Sequence, residues 1–279
     1  MTILGAIFLP HNPPERLREV ARAADEAGLD ELWLWEDCFQ NSGIAAAAAA
    51  LAWTQNVRIG IGILPVPFRN VALTAMEIAT MRRLFGERAI VGVGHGVQDW
   101  MGQVGARAAS PMTLLREYVS ALQSLLAGET VTTEGRYVRL DGVRLDWPPQ
   151  PAPPLLIGAT GVKTLRLSGE LAQGTILTGG TPPEGVTRAR QSIGVPKHHV
   201  VAFVPAAFGS DGARRLADQQ SRYGTDDPGV AGDAATMAEG VRRWVAAGAD
   251  TVVLEPTVDD LDPVAFVRRV AEEVRPLVS

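Results

Sequence analysis

Residues 3–35 read ILGAIFLPHNPPERLREVARAADEAGLDELWLW. An apolar run over 3–9 has the length and composition of a strand, and Asn12, Pro13 and Pro14 break it with a turn. Leu17, Val20, Ala21 and Ala24 then recur at helical spacing until Gly28 stops them, and a second strand follows at once over 31–35. Strand, helix and strand in this order make a βαβ unit, whose two strands are parallel. The alternation continues outward from this unit, with strands over 57–64, 89–94, 155–158, 174–178, 200–205 and 251–255. Helical patterns fall over 70–84, 162–172, 237–247 and 263–274. Eight strands with interleaved helices predict an α/β protein, a closed (β/α)8 TIM barrel forming one domain over 1–279, rather than an open doubly wound sheet.

One interval is too long for a single crossover. We read residues 97–154 as an insertion on the catalytic face, a helix plus a β-hairpin. Ser110-Pro111 is a helix start, and Leu115, Tyr118, Val119, Leu122 and Leu126 form an apolar stripe that Gly128 ends. Strands over 137–140 and 143–145 flank Asp141-Gly142, a two-residue hairpin signal. Pro148, Pro149, Pro151, Pro153 and Pro154 then return the chain in a stiff extended form.

Composition narrows the function. A formal net charge of −5 without a basic run argues against nucleic acid and anionic lipid as partners, since phosphate binding needs clustered Lys and Arg. One cysteine, Cys38, permits no internal disulfide and no multi-cysteine metal cluster. No apolar stretch approaches the ~20 residues of a membrane span, and no basic segment precedes the first strand, so the expectation is a cytoplasmic protein that binds no metal and acts on a small molecule.

Catalytic groups of such barrels lie where strands end, and four strand ends are informative. The second runs into Glu36-Asp37-Cys38, two carboxylates and the thiol. The third, over 59–65, carries Gly60 and Gly62, which let backbone approach a ligand. The fourth ends Gly92-Val93-Gly94-His95-Gly96. It fails as a dinucleotide fingerprint, because Val97 stands where the last glycine belongs. His95 is left as an imidazole at the barrel mouth, able to exchange a proton near neutral pH and placed to meet a cofactor ring or substrate. Gly158-Ala159-Thr160-Gly161-Val162 and Thr178-Gly179-Gly180 read as two phosphate cradles of exposed backbone N–H groups. His198-His199 reads as solvated, and the scattered tryptophans as packing.

With these residues in view, the chain resembles the luciferase-like monooxygenase superfamily, most closely its deazaflavin branch. The resemblance rests on residues 4–10, Trp35 to Cys38, Gly60 to Pro65, Gly92 to Gly96, and 157–161 together with 169–174. It implies coenzyme F420 as cofactor, FMN as the alternative, and a homodimer. It also implies a non-proline cis peptide near Gly62-Ile63 behind the flavin ring, Gly94 and Gly96 beside that ring, and the cofactor phosphate at the segment Gly158 to Val162. The implied activity is hydride transfer between F420 and a small organic substrate. The alternatives are an FMN-dependent monooxygenase or reductase, and a barrel that binds the cofactor without catalysis. Two departures stand out: Cys38 replaces the His that follows the second-strand Asp in many relatives, and Ile7 and Val97 stand where some relatives place a catalytic Glu. His95 and Asp37, followed by Gln98 and Asp99, become the candidates for acid and base, with Cys38 beside them.

Overall fold

A computed structural model describes residues 2–224 and 229–278. The first half runs β1 (Ile3–Phe8), α1 (Leu17–Glu26), β2 (Glu31–Leu34), α2 (Gly43–Trp53), β3 (Arg58–Pro65), α3 (Val71–Phe85), β4 (Ala89–Gly94), α4 (Gln98–Gln103) and α5 (Pro111–Leu126). A hairpin of β5 (Val131–Glu134) and β6 (Arg139–Val143) follows. The second half runs β7 (Leu155–Gly158), α6 (Val162–Leu171), β8 (Gly174–Leu177), α7 (Pro183–Ile193), β9 (His199–Phe208), α8 (Gly212–Tyr223), β10 (Val230–Gly232), α9 (Ala234–Ala246), β11 (Thr251–Pro256) and α10 (Pro263–Arg269).

The parallel strands pair in the order β1-β2-β3-β4-β7-β8-β9-β11, and β11 returns to β1 with Thr251 opposite Ile3, closing a TIM barrel. All eight expected strands are present. β9 extends to Phe208 because β10 pairs with its end, Val230 opposite Ala206.

Strand alternation divides the apolar residues between two cores. Ile7, Leu9, Trp33, Leu156, Ile176, Val201, Phe203 and Val253 fill the barrel interior. Their neighbours, such as Leu32, Leu34, Ile59 and Ile61, pack outward on the helices. α1 supplies Leu17, Val20, Ala21 and Ala24 to that outer core, and Gly28, at φ +77°, turns the chain into β2. Among the described residues no helix is long and apolar enough to cross a membrane.

α5 packs between α3 and α6, where the ring's fourth helix belongs. The hairpin lies along it, and its turn is not at Asp141-Gly142. Glu117 on α5 accepts the backbone N–H groups of Arg136, Tyr137 and Val138 at 3.0, 2.8 and 3.1 Å, and Gly135 N–H donates to the Val138 carbonyl. Those bonds move the turn upstream to 135–138. Asp141 and Gly142 instead form a bulge within β6, with Gly142 at φ +63° and its N–H on Thr132 Oγ1.

Candidate active site

The C-terminal ends of the barrel strands surround a cavity of about 800 Å³. Its floor is Ile63. Three glycines on the neighbouring strands receive that side chain: a Cβ at Gly92, Gly94 or Gly158 would stand 3.2, 3.2 or 2.9 Å from Ile63 carbons. The Gly62–Ile63 peptide bond is cis, as is Cys38–Phe39. Phe203 stands beside this floor, its ring 2.7 Å from the position a Cβ on Gly62 would take, and Trp35 stacks on Phe203 with centroids 6.0 Å apart. The site thus presents an apolar platform with aromatic walls and polar groups at its rim.

β2 supplies the polar groups of one side, and the period-2 alternation sorts them. Glu31 and Trp33 face the barrel interior, where Trp33 Nε1–H donates to Glu31 at 2.7 Å and Arg58 pairs with the same carboxyl at 2.5 Å. Burial raises the Glu31 carboxyl above the ordinary range, and Arg58 and the indole partly offset this. Past the strand end, Trp35 and Asp37 line the cavity. Glu36 between them is also part of the lining, but its carboxyl is tied to Arg69 and to the Gly43 N–H at the start of α2. Asp37 has no hydrogen-bonding or charged partner for its carboxyl among the described residues, and burial raises its pKa. Burial, reinforced by the charges of Glu36 and Asp37, also pushes the Cys38 thiol up, which disfavours the thiolate; Cys38 is not part of the cavity lining.

His95 lines the cavity, but both its nitrogens face protein. Nε2 lies 3.3 Å from Thr164 Oγ1 on α6, and buried Nδ1 has no hydrogen-bond partner among the described residues, with the Pro111 backbone close enough to the ring to raise its pKa slightly against burial. Burial lowers its pKa, favouring the neutral ring. No bond joins it to Asp37. Gln98 turns its amide back onto the His95 and Gly96 carbonyls, and Asp99 is 91% exposed and paired with Arg107, so neither reaches the cavity.

Of the two expected cradles, Gly158, Ala159 and Thr160 line the cavity, whereas Gly161 and Val162 lie just behind as the N-cap and first residue of α6. Thr178, Gly179 and Gly180 line it too, beside a carboxylate. Glu255, at the end of β11, places Oε2 2.4 Å from where a Cβ on Gly179 would sit. That glycine makes room for the Glu255 side chain.

Sequence reasoning gave no site role to Phe203, Thr164 and Glu255 and read Trp35 only as part of the second-strand motif, yet all four line the cavity. The signal available was parity: residues 31, 33, 35 and 37 share one face. His198 was expected to be solvated. It is instead buried, its Nε2 2.8 Å from Thr175 Oγ1 with Ser168 alongside, because the loop before β9 folds under the barrel. Among the described residues no group of three or more His, Cys, Asp or Glu could hold a metal ion.

The sequence model of a family described as luciferase-like monooxygenase matches residues 4–196. A 5,10-methylenetetrahydromethanopterin reductase of Methanolobus tindarius is 29% identical over 67% of this chain and 57% of its own length. An F420-dependent glucose-6-phosphate dehydrogenase of Nakamurella multipartita is 32% identical over 61% and 54%. The chain thus spans about half the length of the curated relatives it matches. Two solved structures share the fold over 100% of this chain and 99% of theirs, each at 21% identity. They are the coenzyme F420 dependent tetrahydromethanopterin reductase of Methanopyrus kandleri, TM-score 0.85, and an F420-dependent secondary alcohol dehydrogenase, TM-score 0.86. The FMN-bound oxygenating constituent of 3,6-diketocamphane monooxygenase from Pseudomonas putida does so at 18% identity, with TM-score 0.81 and the same coverage.

Proposed function

The chain belongs to the luciferase-like monooxygenase family, and on that premise we propose that it is an oxidoreductase that moves a hydride between the deazaflavin coenzyme F420 and a small organic substrate. The observation that carries this reading is the platform of Ile63, seated among glycines beneath a cavity with aromatic walls. An apolar floor that leaves open space above it suits the face of a planar ring. The Nakamurella relative and the reductase and dehydrogenase structures, all F420-dependent by name, support the choice of cofactor.

F420, when bound, supplies the redox chemistry. The side chains do the rest. Gly62, Ile63, Gly94 and Gly96 would form the ring side of the site, and the backbone of Gly158, Ala159, Thr160, Gly161 and Val162 would hold the phosphate at the N-terminus of α6, with Thr178, Gly179 and Gly180 along its edge. Asp37 is the proton carrier: burial raises its carboxyl above the ordinary carboxylate range with no countercharge among the described residues to offset it, so it holds its proton to higher pH than a free aspartate and can pass it to a substrate in the cavity. His95 is a positioning residue, bridging the starts of α5 and α6.

Titration with F420, followed by its fluorescence, is expected to show micromolar binding. Strong FMN binding without F420 binding, with oxygen uptake coupled to turnover, would replace this reading with a flavin-dependent monooxygenase. We also propose a homodimer, because Leu73, Met76 and Leu84 on α3 are 47%, 57% and 68% exposed in one stripe. Sedimentation showing a monomer at micromolar concentration would refute it.

A further inference from the structure

Asp37 stands on a short loop, residues 37–42, that is fastened from three sides, by Gly43, Asn41 and Arg69. Glu36 closes the two ends of the loop: one of its carboxyl oxygens accepts the Gly43 N–H at 2.7 Å, where α2 begins. The lack of a side chain at Gly43 allows this approach, since a Cβ there would stand 3.2 Å from Glu36 Cβ and 3.0 Å from Ile61. The far side of the loop is pinned to the β1–α1 connection, with Asn41 Nδ2–H donating to the Pro10 and Asn12 carbonyls at 2.9 and 3.2 Å. Arg69, four residues past the end of β3, donates to the other Glu36 oxygen. Its guanidinium also meets Glu77 on α3, with Nη2 3.5 Å from Oε1 and Nε 3.4 Å from Oε2. Because β3 carries Ile63, one planar cation ties the Asp37 loop to the connection that leaves the platform strand.

We propose that Glu36 and Arg69 are positioning residues for proton transfer: the pair holds the Asp37 carboxyl in the cavity at a fixed reach from the Ile63 platform. This rests on the hydride-transfer reading above, in which Asp37 carries the proton. A proton passes only across a hydrogen-bonded contact, and a displacement of about 1 Å at the reacting groups costs roughly a hundredfold in rate. Arginine suits the task because its donors lie in one plane and point apart, so that Glu36 and Glu77 are engaged together; the ammonium of lysine is a point charge that serves one carboxylate well. Without the cation, Glu36 becomes a buried charge with no countercharge. Relief comes when its carboxyl leaves Gly43 and turns to water, which opens the loop and takes Asp37 out of its half-buried setting.

The test reads Asp37 itself, by carbon-13 NMR titration of its carboxyl in the protein without cofactor, with Asp37→Asn to assign the resonance. Arg69→Met keeps an unbranched side chain and removes the cation. Loss of a nearby positive charge by itself pushes a carboxyl pKa up, whereas release of the loop exposes Asp37 and brings its raised pKa down toward that of a free aspartate. The fall is expected, by at least about half a pH unit, together with roughly tenfold faster hydrogen exchange at the Gly43 amide. His11, which lines the cavity from the β1 side, is unchanged by the variant. If Arg69→Met fails to fold, Arg69→Lys takes its place, and at constant charge it is expected to lower the Asp37 pKa by at least about 0.3 pH units. A pKa that rises or stays in place, or Gly43 exchange at the native rate, overturns the proposal and leaves the pair a stabilising contact. F420 affinity, followed by fluorescence, should stay within about twofold in the variant; roughly tenfold weaker binding would assign Arg69 to the cofactor site and overturn the proposal as well. Absence of F420 binding to the native protein defeats the cofactor reading separately, because the titration of Asp37 needs no cofactor.

Discussion

At the base of β2, Glu31, Trp33 and Arg58 answer one another's hydrogen-bonding and charge requirements, whereas past its end the Trp35 indole N–H and the Asp37 carboxyl have no partner among the described residues. The four residues on this face share one parity and lie within seven positions of sequence. Their environments differ because the barrel interior tapers into packed side chains below and opens into a cavity above. Polar groups at the base are sealed from any ligand and must be satisfied internally to be stable. The Asp37 carboxyl at the mouth lines the cavity instead.

The largest expected effect of disturbing this contrast lies at the mouth. Asp37→Asn should lower turnover roughly a hundredfold with little loss of stability. In the reducing direction the native enzyme should lose activity as pH rises through the raised Asp37 pKa, a limb the variant lacks, and kcat against pH would show it. The stability sign follows from the same shift. Folded Asp37 binds its proton more tightly than the unfolded chain does, so its contribution favours folding at low pH and is lost as pH rises through the folded pKa. Thermal melts should therefore show the Asn variant gaining on the native protein from acid toward neutral pH.

Glycine substitutions sharpen the contrast on the side of stability. A Cβ at Gly60 would sit 2.4 Å from the buried Trp33 ring, so Gly60→Ala should cost about 1–3 kcal/mol in urea denaturation. Gly179→Ala meets the movable end of Glu255 at the same 2.4 Å and should cost less than about 1 kcal/mol. The paired indoles give a closer comparison. Trp33→Phe removes the donor from a buried carboxylate, at about 1–3 kcal/mol. Trp35→Phe removes a donor that has no acceptor among the described residues and should stay within about 0.5 kcal/mol apart from the lost ring volume. Equal costs would break the distinction between closed base and open mouth. The smallest effect is expected at His95, whose Nε2 lies against Thr164 and whose Nδ1 is buried: His95→Gln should change turnover by less than about fivefold, measured by steady-state kinetics.

Local pattern carried the barrel a long way. Each strand is a short apolar run and each early helix has a clear stripe and stop, so the strand positions, the Gly62–Ile63 stretch and most of the glycine-rich rim were legible. The hairpin turn was not. Asp141-Gly142 has the right local chemistry, but Glu117, distant in sequence, gathers three N–H groups and sets the turn elsewhere. His198 was misplaced for a similar reason, since its burial depends on Thr175 and Ser168 across the barrel base. His95 was rightly placed at the mouth, yet the direction of its nitrogens depends on where α5 and α6 begin.

By itself, then, the sequence determined the alternation of strands and helices, the closed parallel barrel and the glycine-rich strand ends that rim the cavity, because these follow from periodicity and backbone preference within a few residues of each position. Tertiary structure alone decided which polar groups are satisfied. Trp33 and Trp35 are the same residue two positions apart, and nothing local distinguishes them. The acceptor at 2.7 Å from one indole, and the lack of one among the described residues for the other, are settled only once eight strands have closed into a ring.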